Sequence, residues 1–276
     1  MRRDVVAAFD ADGSRPDLPQ LDPADFSRFK HGAADATWRL GRHLADHLTG
    51  HTTDHTTGLP DGVVRAERLV VTASCYKFVP LASVALAGVV AHRLNRRRAD
   101  AGLAPVVRTQ FYRERLIEGD YSTMSLAQRQ EFIARDVIRV DAAVLADAGV
   151  LVVDDVRVTG FHEGRLATVL ADAGVPAATF AYCAVIDGTG DPTVERRMNT
   201  TTIGSLDALA RLVADGGFIL NSRACKLILG APPDEFERFV HTAPRSLREA
   251  LVTALECNGY AVMNRYRTAY ETLVAA

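Results

Sequence analysis

The chain has 276 residues, 48% of them hydrophobic and 24% charged, and a formal net charge of −2. Such a near-neutral balance carries no electrostatic footprint for nucleic acid or an anionic membrane surface. No run reaches the ~18 apolar residues of a membrane-crossing helix, and the length suits one large domain or a domain with a small appendage.

Residues 1–24 are rich in Pro and Asp and show little periodicity, so a loosely ordered lead-in is expected, with part of it packed on the body. The N-terminus turns acidic and Pro-rich too soon for a secretory leader. Cys75, Cys183, Cys225 and Cys257 share no motif spacing, which predicts reduced thiols in a cytoplasmic protein. After "FSRFKHG" (26–32), Ala36, Leu40, Leu44 and Leu48 recur at helical spacing. Residues 49–62 read as a polar loop.

Strand and helix then alternate. Residues 69–73 are a β-branched apolar run. Pro80 opens a helix from 81 to about 101, closed by Gly102, with Arg96, Arg97 and Arg98 on a solvated face near its end. Further strands are predicted over 105–111, 149–153 and 177–186. A helix over 162–173 places Leu166, Val169 and Leu170 on one face and ends at Gly174. Strands without polar alternation, separated by helices, predict an α/β fold with a parallel sheet covered on both sides. From Ile203 onward the patterns are helical, with Ser205, Pro233 and Pro244 at cap or first-turn positions. The expected organisation is a lead-in and hood helix (1–62), an α/β core (63–204) and a C-terminal helical region (205–276).

The stretch "LVVDDVRVTGFHEG" (151–164) carries the chemistry. A buried strand is expected to end in two carboxylates at the sheet edge where open α/β folds bind ligands. A short loop, 156–160, leads to a helix N-terminus, which favours an anion. Thr159 adds a hydroxyl donor. The carboxylates suit sugar hydroxyls or a hydrated Mg²⁺. A sugar phosphate satisfies both ends.

"VLVVDDVRVTG" (150–160) resembles the signature of type I phosphoribosyltransferases. The resemblance implies a Rossmann-like parallel-sheet core and phosphoribosyl pyrophosphate (PRPP) as substrate. Asp154 and Asp155 would contact the ribose hydroxyls and would meet Mg²⁺ through those hydroxyls or water. Val156, Arg157, Val158, Thr159 and Gly160 would wrap the 5′-phosphate. "VVTASCYKFVP" (70–80) is similar to the pyrophosphate loop of orotate phosphoribosyltransferases. It implies contacts from Ser74, Cys75, Tyr76 and Lys77, with Lys77 on the pyrophosphate. The Arg-rich segment 108–136 stands where the family keeps a mobile catalytic loop, with Arg113 and Arg115 as candidates to close on pyrophosphate. The acceptor would be a small molecule with a nitrogen nucleophile, in a cytoplasmic homodimer that engages neither nucleic acid nor membrane.

The chain departs from that pattern at Val158, where a small hydroxyl residue is usual, and at Phe161 and His162, where small residues and another Thr are usual. These departures motivate an alternative: a non-catalytic PRPP- or nucleotide-sensing protein that kept the site. Arg157 would compensate as a phosphate cation. Cys75 reads as a small residue in a tight loop rather than a nucleophile, and His162 as structural. Lys30 is a candidate for the base pocket or a neighbouring subunit, and "NSRACK" (221–226) for the acceptor pocket.

Overall fold

The computed structural model describes residues 1–50, 66–114, 131, 137–186 and 192–275. Its strands are β1 (Arg2–Asp10), β2 (Leu69–Ala73), β3 (Val107–Arg108), β4 (Tyr112–Arg113), β5 (Ile138–Arg139), β6 (Gly149–Arg157) and β7 (Ala177–Val185). Five of them form a parallel sheet in the order β1-β7-β6-β2-β3, and β4 pairs with β5 antiparallel. The helices are α1 (Pro23–Lys30), α2 (Ala34–Leu48), α3 (Ala82–Asp100), α4 (Ala142–Leu145), α5 (Phe161–Asp172), α6 (Pro192–Thr200), α7 (Leu206–Ala214), α8 (Ser222–Leu229), α9 (Pro233–Thr242), α10 (Arg245–Asn258) and α11 (Arg267–Ala275).

Successive side chains of a strand point to opposite faces, and here both faces are buried. Leu69, Val71, Leu151 and Val153 pack on one side with Leu40 and Leu44 of α2 and Leu86, Val90 and Leu94 of α3. Val70, Val150, Val152 and Phe180 pack on the other with Leu145 of α4 and Leu166 and Leu170 of α5. This is why the central strands read as unbroken apolar runs. The first of the two cores continues into the C-terminal helices through residues such as Leu209, Ile228, Phe239 and Leu251. None of the described helices is long and apolar enough to cross a membrane. All four cysteines are free, with Cys75, Cys183 and Cys225 buried and Cys257 exposed.

Several expectations are corrected. Residues 2–10 are an edge strand, paired in register with β7 from Arg2↔Ala177 to Asp10↔Val185, not a loose lead-in. Only its second half is well buried, which hid the pattern. The strand expected over 105–111 is just Val107–Arg108. A helix, α6, precedes the helical region expected from 203. Arg98 is not on a solvated face. It is 1% exposed, and its guanidinium donates to the carbonyls of Ala66, Glu67 and Ala104, so it ties together the chain on either side of β2 and α3.

The N-terminal helices are fastened to the C-terminal region. The buried Ser27 hydroxyl donates to the Asn199 carbonyl and accepts from the N–H groups of Thr202 and Ile203. Between α1 and α2, Gly32 has φ +96°, and a Cβ there would stand 2.2 Å from the Ile219 carbonyl oxygen. Only glycine permits that approach, which brings the end of α1 against the segment leading into α8.

Candidate functional site

The sheet register builds the site. β2 and β6 are neighbours, with Ala73 opposite Val153, so the chain leaving β2 emerges beside Asp154. β6 does not end before the acidic pair, as the sequence suggested. It runs through Asp154 and Asp155 to Arg157, pairing Asp154 with Tyr182 and Arg157 with Val185 of β7. Strand alternation therefore sends the two carboxylates to opposite faces. Asp154 shares the face of Tyr182, and Asp155 the face on which α1 packs.

Each of the four carboxylate oxygens accepts a hydrogen bond. Asp154 takes the Ser74 hydroxyl on one oxygen and the Asp155 N–H on the other, at 2.9 Å. Asp155 takes the Lys30 ammonium on one and the Val156 N–H on the other, at 2.7 Å. Burial, then the neighbouring negative charge of Asp155, pushes the Asp154 carboxyl up to about 7. The bonds from Ser74 and the Asp155 N–H and the charge of Lys30 resist that rise. A proton is therefore held on Asp154 far more readily than on a solvated carboxyl.

The turn after β6 is held by the sheet and by the first turn of α5. Gly160 has φ +70° and caps the start of α5, a conformation that costs other residues about 1–2 kcal/mol. A Cβ there would meet the Arg157 guanidinium at 3.3 Å. Arg157 Nε donates to Glu163 in the first turn of α5, at 3.0 Å. The Glu163 side chain is 1% exposed and also takes the Tyr182 hydroxyl at 3.2 Å and pairs with Arg3 of β1 at 3.2 Å. Val156 and Val158 pack on the core, and Thr159 faces the cavity. The His162 imidazole is driven down to about 3 by burial and by the Arg113 charge, against the pull of Asp155, so it is neutral.

The loop after β2 is held from outside. Ser74 and Cys75 are buried. Gln110 donates to the carbonyls of Tyr76 and Lys77, both at 3.1 Å. The Arg113 N–H donates to the Tyr76 carbonyl at 3.0 Å. Asn258, the last residue of α10, accepts from the N–H groups of Phe78 and Val79 at 3.0 and 3.1 Å. The Ser222 N–H of α8 donates to the Pro80 carbonyl at 2.8 Å.

Lys77, Arg113, the acidic pair and residues 156–160 all line one cavity of about 430 Å³. Arg115 lies outside the described residues. The far wall is C-terminal: Arg223 and Lys226 of α8, Arg265, and the aromatic pair Tyr260 and Tyr266, whose ring centroids are 5.4 Å apart. Sequence reasoning weighed 221–226 for this wall but missed Glu163, Asn258, Arg265 and the two tyrosines.

A family model described as PRTase ComF-like matches residues 11–273. The chain belongs to this family. No curated protein matches it. The match begins just after the edge strand β1 and spans β2 to β7 and the C-terminal helices, so the ComF-like fold includes the helices that fasten the loop after β2. Among the described residues of this ComF-like chain, no group of three His, Cys, Asp or Glu side chains is arranged to hold a metal. Each of the four oxygens of the pair accepts one hydrogen bond and keeps a second lone pair. Two carboxylates do not make a metal cage by themselves, but they can still accept from hydroxyls or from the water of a hydrated cation.

Proposed function

We propose that this chain is a phosphoribosyltransferase that moves the 5-phosphoribosyl group of PRPP to a nitrogen acceptor and releases pyrophosphate. The observation that carries this reading is one cavity in which the acidic pair and the α5 N-terminus adjoin each other and Lys77 and Arg113 share the wall. Asp154 and Asp155 receive the ribose hydroxyls. Residues 156–160 and the free N–H groups of α5 take the 5′-phosphate. Lys77 and Arg113, with Arg115, Ser74 and the backbone of Cys75 and Tyr76, neutralise the pyrophosphate as the C1–O bond breaks. Mg²⁺ arrives on the pyrophosphate oxygens as part of the substrate. The carboxylates steady the cationic sugar while the acceptor nitrogen forms the new bond to C1 and loses its proton. The wall formed by α8, Tyr260 and Tyr266 receives the acceptor.

The test is pyrophosphate release from PRPP and Mg²⁺ across a panel of nitrogenous bases, with at least one base expected to support turnover. Asp155→Asn is expected to abolish ribose binding in calorimetry. Unchanged affinity for PRPP would refute the assignment of the pair.

A second reading is favoured by the neutral His162 and the apolar Val158 beside the phosphate turn. It is a protein that binds PRPP or a nucleotide without turnover. Tight PRPP binding with no pyrophosphate release for any acceptor would favour it.

A further inference from the structure

Lys30 is the last residue of α1, is 7% exposed, and puts its ammonium on Asp155, 125 residues away in the chain. A buried ammonium is costly unless paired, and this one is placed by the packing around it. Its carbonyl accepts from Asn221 Nδ2 at 3.2 Å, its ammonium lies 5.6 Å from the Phe26 ring centroid, and Ser27 on the same helix is clasped by residues 199–203. Lys30 also lines the cavity beside Asp154 and Asp155.

An ammonium has three N–H donors, and each carboxylate oxygen has a second lone pair. With one N–H spent on Asp155, the group can still donate to a hydroxyl oxygen while the carboxylates accept the hydroxyl hydrogens. A vicinal diol needs both kinds of partner. A divalent cation reaching the hydroxyls would supply the same positive charge, and here a buried side chain already supplies it from within the fold.

Resting on the phosphoribosyl reading, we infer that Lys30 is the resident cation of the diol site. It positions Asp155 and completes the contact to the sugar hydroxyls, so the ribose end binds without a metal. The metal requirement is confined to the pyrophosphate.

The experiment is calorimetric titration of the full chain with ribose 5-phosphate, once with a chelator and once with Mg²⁺, and with PRPP plus Mg²⁺ as reference. Equal affinity for ribose 5-phosphate in both conditions is expected. Lys30→Met is expected to lose about tenfold or more in chelator, as for a lost charge-assisted hydrogen bond, and to regain part of it with Mg²⁺. A merely structural loss would lower affinity alike in both conditions and would overturn the inference. So would a parent protein that binds ribose 5-phosphate only with Mg²⁺, and this arm depends on no variant folding. In either case retained PRPP binding leaves the transferase reading standing. Failure of the parent to bind PRPP at all overturns both.

Discussion

Two turns meet at the cavity, and they are held in different ways. The turn after β6 is held by the sheet it leaves and the helix it enters: Arg157, Gly160 and Glu163 lie within seven residues and engage one another, and Glu163 also takes Tyr182 of β7 and Arg3 of β1. The loop after β2 borrows its rigidity. Gln110 and the Arg113 backbone hold one side, and Asn258, some 180 residues further along the chain, holds the other. The difference teaches that the C-terminal helices are structural parts of the loop after β2, whereas the turn after β6 rests on the sheet and on the first turn of α5.

Glu163→Ala should give the largest effect. It removes the buried partner of Arg157 and Arg3 and the acceptor of the Tyr182 hydroxyl, a change worth about 3 kcal/mol. The melting temperature should fall by roughly 8 °C. The comparison requires that affinity for ribose 5-phosphate drops while affinity for pyrophosphate holds. Asn258→Ala should come next and act in the opposite sense. It leaves the N–H of buried Val79 without its acceptor, at a cost of about 2 kcal/mol. A melting temperature lower by about 5 °C, with pyrophosphate affinity reduced and ribose 5-phosphate affinity kept, would sharpen the contrast. Equal losses of both ligands in either variant would break it.

The same distinction governs how much could be read in advance. β2 and the helix after Gly160 were legible because they follow from local pattern: a continuous β-branched run, and a glycine before an amphipathic repeat. The acidic pair was legible as residues but not as geometry. The strand continues through it because Asp154 and Arg157 find partners in β7, and a strand of mixed burial looks like a loop in sequence. Lys30 had a recognisable setting in "FSRFKHG", yet its contact with Asp155 follows from how α1 packs over the sheet. Asn258 gave no signal, since an asparagine at a helix end reads as a cap, and its role exists only once α10 lies beside residues 78–79. The edge strand was missed because half of it is exposed and the Pro-rich segment after it dominates the composition.

The smallest expected effect tests the electrostatics where the two turns meet, at Asp154 between Ser74 and β7. Its carboxyl sits at about 7 rather than the usual 3.8 because burial and Asp155 disfavour the charge. A folded-state value above the unfolded one means that the native protein binds the proton more tightly. The resulting stability is fully present below about pH 4 and is lost as pH rises through 7. Above that, the native state carries a charge it disfavours. Asp154→Asn keeps the shape and removes the charge, so it should flatten this dependence. In melts at pH 5 and pH 8, the variant should gain about 2–4 °C on the parent at the higher pH and little at the lower, while losing affinity for ribose 5-phosphate at both. A parent-minus-variant difference that does not change between the two pH values would show that Lys30 and Ser74 already compensate the charge in full. The acidic pair would then be balanced by its own partners, as Glu163 in the turn beside it is by Arg157, Arg3 and Tyr182.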